Sequence, residues 1–370
     1  MILKNLKLKN FRNYDKLNID FYEGINIFYG ENAQGKTNIL ESVYIFSSSK
    51  SHRGVKDKEL IKFEKEESEI KIEFISQKRE QSANFYLYKD KNKKLEINGI
   101  FNPSKKALFG IFGTVIFSPE DLNLIKGSPE ERRRFMDTDI SQIKPEYFKL
   151  LKDYKKVLNL KNNLLKQKEV NTSLLDVYDE KLSYLASKIT VYRLRFIERI
   201  NELATKALFY ISDKKENIEI EYKPGFSSKF NVNIKEIEKK YLEEFKKLRE
   251  EEILRGITLI GPQRDDLEFY LNGKDSKVYC SQGQQRSIIL SLKLAEFEFM
   301  KEVLGETPIL LLDDILSELD IKRQNKLLNF IRDNQTIITC TDKDLYKKIK
   351  YPYKSYLVAE GRLTEPASNT

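Results

Sequence analysis

The sequence predicts an α/β fold: a mixed sheet assembled from both ends of the chain, an attached antiparallel β subdomain, and a helical lobe inserted between the ends. Three observations predict it. Continuous apolar runs bounded by turns, the pattern of buried parallel strands, occur at Ile25-Asn26-Ile27-Phe28-Tyr29, at Pro308-Ile309-Leu310-Leu311-Leu312 and at Thr336-Ile337-Ile338-Thr339. Period-two runs bounded by charged turns fill much of residues 70–101. Between about Tyr147 and Leu254 the period becomes three to four.

The elements follow in order. Leu6 and Leu8 alternate with Lys7 and Lys9, and after a turn around Asn13-Tyr14-Asp15 the apolar Leu17, Ile19 and Phe21 alternate with Asn18 and Asp20. Each run is a strand with one buried face. Gly24 breaks the pattern before the third strand, which leads into a glycine-bearing loop and a helix from about Thr37 to Phe46. Ile70–Phe74 and Asn84–Tyr88 read as strands of a meander, and Asn98-Gly99 as a hairpin turn. Leu182, Leu185, Ala186, Ile189, Phe196, Ile200, Leu203 and Ala204 form the stripe of a long amphipathic helix. The heptads are too short for a coiled-coil arm, so a compact lobe is expected. Ile257-Thr258-Leu259-Ile260 reads as a strand on return to the sheet. The expected division is a head of residues 1–145 and 255–370 with a lobe of residues 146–254.

Composition narrows the class. Hydrophobic residues are 40% and charged residues 33% of the 370, which suits a globular protein rather than a disordered or membrane one. No run approaches the roughly 20 apolar residues of a membrane helix, and Met1–Lys7 has no apolar core or cleavage site. A cytoplasmic protein without a membrane partner is expected. The net charge of +9 attracts phosphate backbones, although lysine-rich codon usage would produce it as well. Residues 151–250 carry 22 Lys and Arg against 16 Asp and Glu, so much of the excess falls in the lobe. Cys280 and Cys340 are expected as reduced, partly buried thiols. The single histidine, His52, excludes a histidine-rich zinc site and is expected as a solvated loop residue.

Three motifs carry chemistry. Gly30-Glu31-Asn32-Ala33-Gln34-Gly35-Lys36-Thr37 matches G-x-x-x-x-G-K-[ST] between a strand and a helix. The glycines let backbone N–H groups wrap a β-phosphate. Lys36, expected as a solvent-facing charge, reaches the β- and γ-oxygens, and Thr37 offers its hydroxyl to Mg²⁺. Asp313 and Asp314 end an apolar strand. Asp313 would hold Mg²⁺ through water, and Asp314 would orient or deprotonate the attacking water. Ser281-Gln282-Gly283-Gln284 precede an apolar helix and leave N–H groups free for a second anion. Such a segment resembles the signature of ABC-type ATPases, which binds the γ-phosphate of ATP held by a second subunit. Ser317-Glu318-Leu319-Asp320 falls where those ATPases carry a dimer-contacting loop.

Together with Asn10-Phe11-Arg12-Asn13-Tyr14, Lys50-Ser51-His52-Arg53, Phe117-Ser118-Pro119-Glu120-Asp121-Leu122 and Gly261-Pro262-Gln263-Arg264-Asp265-Asp266, these motifs are collinear from residue 1 to about 345. The chain resembles the RecF family of bacterial recombination mediators, in the SMC-like ABC group. The resemblance implies an ATP-dependent homodimer that binds DNA at single-strand/double-strand junctions and helps load recombinase with RecO and RecR proteins. It implies nucleotide contacts from Arg12 and Asn13, and DNA or phosphate contacts from Lys50 and Arg53. Lys126-Gly127-Ser128-Pro129 and Arg132-Arg133-Arg134 match a family stretch, read from composition as a helix with a basic face. Two departures from the wider ABC pattern point to slow turnover. Thr341 stands nearest the slot of the switch histidine, and Asp314 is one methylene shorter than the usual glutamate. No glutamine marks the metal-sensing loop, where Glu120 is the stand-in. The competing functions are a transport ATPase subunit, against which the roughly 100-residue lobe argues, and a clamp that binds ATP without cleaving it, against which Lys36, Thr37, Asp313 and Asp314 argue.

Overall fold

The computed structural model describes residues 1–104, 106–226, 232–341 and 349–364. Its strands run β1 (Ile2–Phe11), β2 (Tyr14–Asp20), β3 (Ile25–Tyr29), β4 (Glu67–Ser76), β5 (Arg79–Tyr88), β6 (Lys94–Ile97) and β7 (Ile100–Asn102). They continue as β8 (Thr114–Phe117), β9 (Ile218–Lys223), β10 (Asp266–Leu271), β11 (Lys274–Asp275), β12 (Ile309–Asp313), β13 (Thr336–Cys340), β14 (Tyr353–Ala359) and β15 (Arg362–Thr364). The chain forms two compact units, Met1–Asp121 with Lys293–Thr370, and Leu122–Leu292.

The first unit holds two six-stranded sheets. One is antiparallel, in the order β2-β1-β4-β5-β6-β7. Every second residue of β4 is buried, so one face of this sheet is apolar. Asn98 and Gly99 take positive φ of 51° and 81° in the β6–β7 turn, the geometry an Asn-Gly pair supplies. The other sheet has the order β15-β14-β3-β13-β12-β8 and is parallel apart from the β14–β15 pair. Each residue of β3, β12 and β13 is buried, which is why these strands read as unbroken apolar runs. The helix Lys36–Ser48 contributes Ile39, Leu40, Val43 and Phe46 to the core that both sheets share. Phe46 packs 5.1 Å from Phe85 of the antiparallel sheet. Register sets the site: Asp313, the last residue of β12, lies beside Thr339 of β13.

The second unit is a lobe of helices, Pro129–Ile143, Pro145–Leu165, Thr172–Ile211, Ile234–Lys247 and Arg249–Arg255, with the antiparallel sheet β11-β10-β9. The 40-residue helix Thr172–Ile211 buries all of the expected stripe except Leu203, which is half-buried. Buried ions hold the lobe together. Lys161 lies 2.6 Å from both Asp179 and Glu252, and Arg193 binds Asp137 and Asp265. Removing one partner of such a cluster leaves an uncompensated buried charge.

The structure corrects several expectations. Residues 257–260 form no strand: the Thr258 amide donates to Asn162 Oδ1 at 2.8 Å and the Leu259 amide to Glu252 Oε1 at 2.8 Å, so side chains replace a ladder. Ile218–Lys223, inside the segment read as helical, is strand β9 and pairs along its whole length with β10. Its I-E-I-E-Y-K alternation carried the signal. Residues 122–145 and 255–292 group with the lobe, in contrast to a division at 145/146 and 254/255. There Arg132, read as part of a basic face, is buried and grips Asp266 with Nε at 2.6 Å and Nη2 at 2.9 Å.

Candidate nucleotide site

The first unit brings the two strongest motifs together. Gly30 and Gly35 have φ of 153° and 111°, open to glycine and rarely to other residues. A Cβ at Gly30 would meet the Val358 carbonyl oxygen of β14 at 2.3 Å, and one at Gly35 would meet the Asn13 amide at 2.5 Å. Gly30 is therefore required by space as well as by φ, while at Gly35 the φ alone demands glycine, since side-chain ends could shift. Lys36 folds back over the loop and donates to the carbonyls of Gly30 (2.6 Å) and Glu31 (2.7 Å). It is buried rather than solvent-facing, since the chain wraps its stem. Burial lowers its pKa, and Asp314, Cys340 and Asp313 oppose the shift. The helix Lys36–Ser48 starts with no side-chain cap and no acid in its first turn, so its N–H groups and positive dipole end stay available to an anion.

The β1–β2 turn braces this loop. Asn13 donates to the Gln34 carbonyl at 2.9 Å and accepts from Asn38 at 2.9 Å, while the Tyr14 hydroxyl donates to the Gly35 carbonyl at 3.1 Å. Glu31, Asn32 and Ala33 are exposed at the loop tip, and Gln34 accepts from the Glu360 amide. Arg12 does not face the loop in the same way. Its guanidinium is held bidentately by Glu41, at 2.8 Å from each oxygen, and by the Glu59 carbonyl. Burial pushes the Glu41 pKa up, but hydrogen bonds from Arg12 and Ser51 outweigh it and the net shift is downward.

The acidic strand end meets the loop through hydroxyls. Thr37 Oγ1 donates to Asp313 Oδ1 at 2.8 Å, and Thr339 Oγ1 donates to the same oxygen at 2.7 Å. Burial raises the Asp313 pKa, and these two hydroxyls oppose it. Asp314 follows in the left-handed region, φ 50°, with its amide donating to Thr339 Oγ1 at 3.0 Å. A non-glycine residue held there stores strain of the kind found at functional sites. Burial raises its pKa as well, while Ser317, Lys36 and the Thr341 backbone oppose the shift. Its Oδ1 is buried and accepts no hydrogen bond among the described residues.

The remaining candidates divide. Glu120 is exposed, and its charge reaches Asp313 and His52. Arg53 donates to Asn38 Oδ1 at 3.3 Å and its charge lowers the Asp313 pKa, which places it toward the nucleotide loop; Lys50 is exposed. Thr341 is half-buried and meets Asp314 by its backbone. His52 is not a solvated loop residue: it packs edge-on against Tyr44 at 5.7 Å, and burial lowers its pKa to about 4. Thr339 and Glu41 were missed. Thr339 reads as an ordinary β-branched strand residue, and Glu41 as a solvated helix position.

In the second unit Ser281, Gln282 and Gly283 are exposed at the start of the helix Gln282–Leu304. Ser281 and Gln284 cap it reciprocally: the Gln284 amide donates to Ser281 Oγ at 3.3 Å and the Ser281 amide donates to Gln284 Oε1 at 3.0 Å. A Cβ at Gly283 would meet open space, so the glycine is not required by this chain's own packing.

Residues 2–364 match the model of the RecF/RecN/SMC N terminal domain family. A Lachnoclostridium phytofermentans protein named DNA replication and repair protein RecF is 46% identical over 344 residues, 92% of this chain and 93% of that one. The chain belongs to the RecF family. Its Clostridium acetobutylicum relative of the same name is 40% identical over 367 residues, covering 99% of this chain and 100% of the relative. A solved structure described as the recombination mediator protein RecF-ATP in the RecFOR pathway superposes with a TM-score of 0.93 at 36% identity, over 99% of this chain and 98% of that one. The Smc head domain of Pyrococcus furiosus, 17% identical with a TM-score of 0.57 over 99% of this chain and 96% of that one, shares the fold. The architecture is the α/β ATPase head of this group with an antiparallel β subdomain and an inserted helical lobe.

Proposed function

We propose that the chain is an ATP-dependent DNA-binding protein of replication and recombinational repair, a slow ATPase in which ATP works as a switch. The observation that carries the reading is the convergence of Lys36, Thr37, Asp313 and Asp314 where β12 and the phosphate loop meet. ATP would enter with its β- and γ-phosphates in the loop, and Lys36 would exchange the Gly30 and Glu31 carbonyls for phosphate oxygens. The Thr37 hydroxyl and Asp313 carboxylate, 2.8 Å apart, are a hard-oxygen donor pair that fits Mg²⁺. The ion would neutralise charge on the phosphates. Asp314 would orient water in line with the γ-phosphate and take its proton as the β–γ bridging bond breaks and ADP leaves. The upward pKa shift of Asp314 suits a base.

Ser281, Gln282, Gly283 and Gln284 would bind the γ-phosphate held by a second copy, giving an ATP-dependent homodimer with the head contributed by both ends of each chain. The net charge of +9 supports binding to single- and double-stranded DNA, with Lys50 and Arg53 as candidate contacts. By family, RecO and RecR proteins are the partners at the junction where recombinase is loaded. The setting is the cytoplasm, at the nucleoid. The relatives point away from a transport subunit.

Gel filtration with ATP, with ADP and with neither, beside phosphate release with and without DNA, tests the reading. ATP alone should shift the elution to a dimer, and Lys36→Met should abolish the shift with an unchanged circular-dichroism spectrum. A Lys36→Met protein that binds ATP normally would remove the assignment of the loop.

A further inference from the structure

The lobe carries a groove of about 770 Å³ between the helices Pro145–Leu165 and Thr172–Ile211 that the nucleotide chemistry does not use. Its floor is aliphatic: Leu150, Val157, Leu160, Leu185, Val191 and Ile234. Leu160 is 43% exposed and Ile234 40%, high for residues that line a hollow. Along the rim stand Lys149, Lys156, Lys181, Lys188 and Arg195, against the acids Glu146 and Asp153. Glu146 already accepts from Tyr192 at 3.2 Å. None of the five cations is in an ion pair among the described residues, whereas nearby Arg199 and Lys206 are both paired with Glu202. Lys181 and Lys188 instead flank the Tyr184 ring at 5.6 and 4.2 Å.

We propose that this groove docks an amphipathic helix of a partner protein, with an apolar stripe for the floor and acidic residues flanking the stripe. The lining positions on the first helix run from Glu146 to Leu160, about 21 Å at 1.5 Å per residue, or about four turns of an occupant helix. Charge complementarity fixes the sign of the flanks, since carboxylates would meet the unpaired rim cations. A nucleic acid fits less well. Its phosphates would face Glu146 and Asp153 and find no partner on the aliphatic floor, although Tyr184 and Tyr192 also line the groove.

The probe is a fluorescein-labelled helical peptide of about 18 residues, with leucine at helical spacing and glutamate flanks. It is titrated into the full chain beside a scrambled peptide, a lysine-flanked peptide and duplex and single-stranded DNA. The glutamate-flanked peptide should bind roughly tenfold more tightly than the scrambled and lysine-flanked ones. Lys149→Glu with Lys156→Glu, both at exposed positions, should reverse that preference while ATP binding, as the check on folding, is unchanged. Equal binding of the scrambled peptide, or an unchanged preference in the double variant, would overturn the proposal. So would loss of DNA binding in the double variant together with no peptide binding to the parent, which would make the groove a nucleic-acid site.

Discussion

Thr339→Val tests the hydroxyl that joins the two acidic residues. Valine keeps the shape of threonine, so the substitution removes chemistry rather than volume. Two interactions are lost. The donor to Asp313 Oδ1 at 2.7 Å serves a buried charged acceptor, worth about 1.5–3 kcal/mol. The Asp314 amide loses its acceptor at 3.0 Å, and a buried donor left unsatisfied costs about 1–3 kcal/mol. Thr37 still serves Asp313, which sets the first figure near its lower end, so a loss of about 3–4 kcal/mol is expected. The penalty should also depend on pH. The folded pKa of Asp313 is raised, so the folded state holds the proton over a range where the unfolded chain has lost it. Asp313 therefore costs stability as pH rises through that range. A protonated carboxyl needs the threonine donor less than a carboxylate does, so the Thr339→Val penalty should shrink as pH falls through the folded pKa. Urea unfolding of parent, Thr339→Val and Thr339→Ser across that range measures it, with serine retaining most of the stability. A valine penalty below about 1 kcal/mol, or one that does not change with pH, would refute the reasoning.

Asp314→Asn should keep ATP binding and lower hydrolysis roughly 10²–10⁴-fold, the usual contribution of a positioned base, with a longer-lived ATP dimer. Single-turnover phosphate release at the parent rate would move the water-orienting role elsewhere. Ser281→Arg should leave ATP binding to the monomer unchanged and abolish ATP-induced association, because the residue is exposed at the lobe's helix start. Sedimentation with ATP that still shows a dimer would falsify the trans-acting role. His52, as the single histidine, yields one imidazole signal, and its NMR titration should have a midpoint near 4. Its depressed folded pKa means that stability is lost as pH falls from about 6.5 toward 4, by about 3 kcal/mol in all, as the unfolded chain takes up the proton first. A midpoint near the free value would show an exposed ring.

What the amino-acid sequence determined by itself was whatever depends on near neighbours in the chain. Apolar runs marked β3, β12 and β13, alternation marked β4 and β5, and Asn98-Gly99 marked its turn, because strand burial and left-handed φ are local demands. The phosphate loop was legible for the same reason, since Gly30, Gly35, Lys36 and Thr37 act within eight consecutive residues. What only the tertiary structure decided was pairing across long separations. The parallel register that sets Asp313 beside Thr339 made a strand threonine the bridge between the Asp313 carboxylate, 26 residues distant, and the Asp314 amide. Glu41 became the buried holder of Arg12, and Arg132 the partner of Asp266, 134 residues away. A lone polar residue in a sequence has no visible partner, and burial, which makes that partner obligatory, is settled only when the sheets and helices close over it.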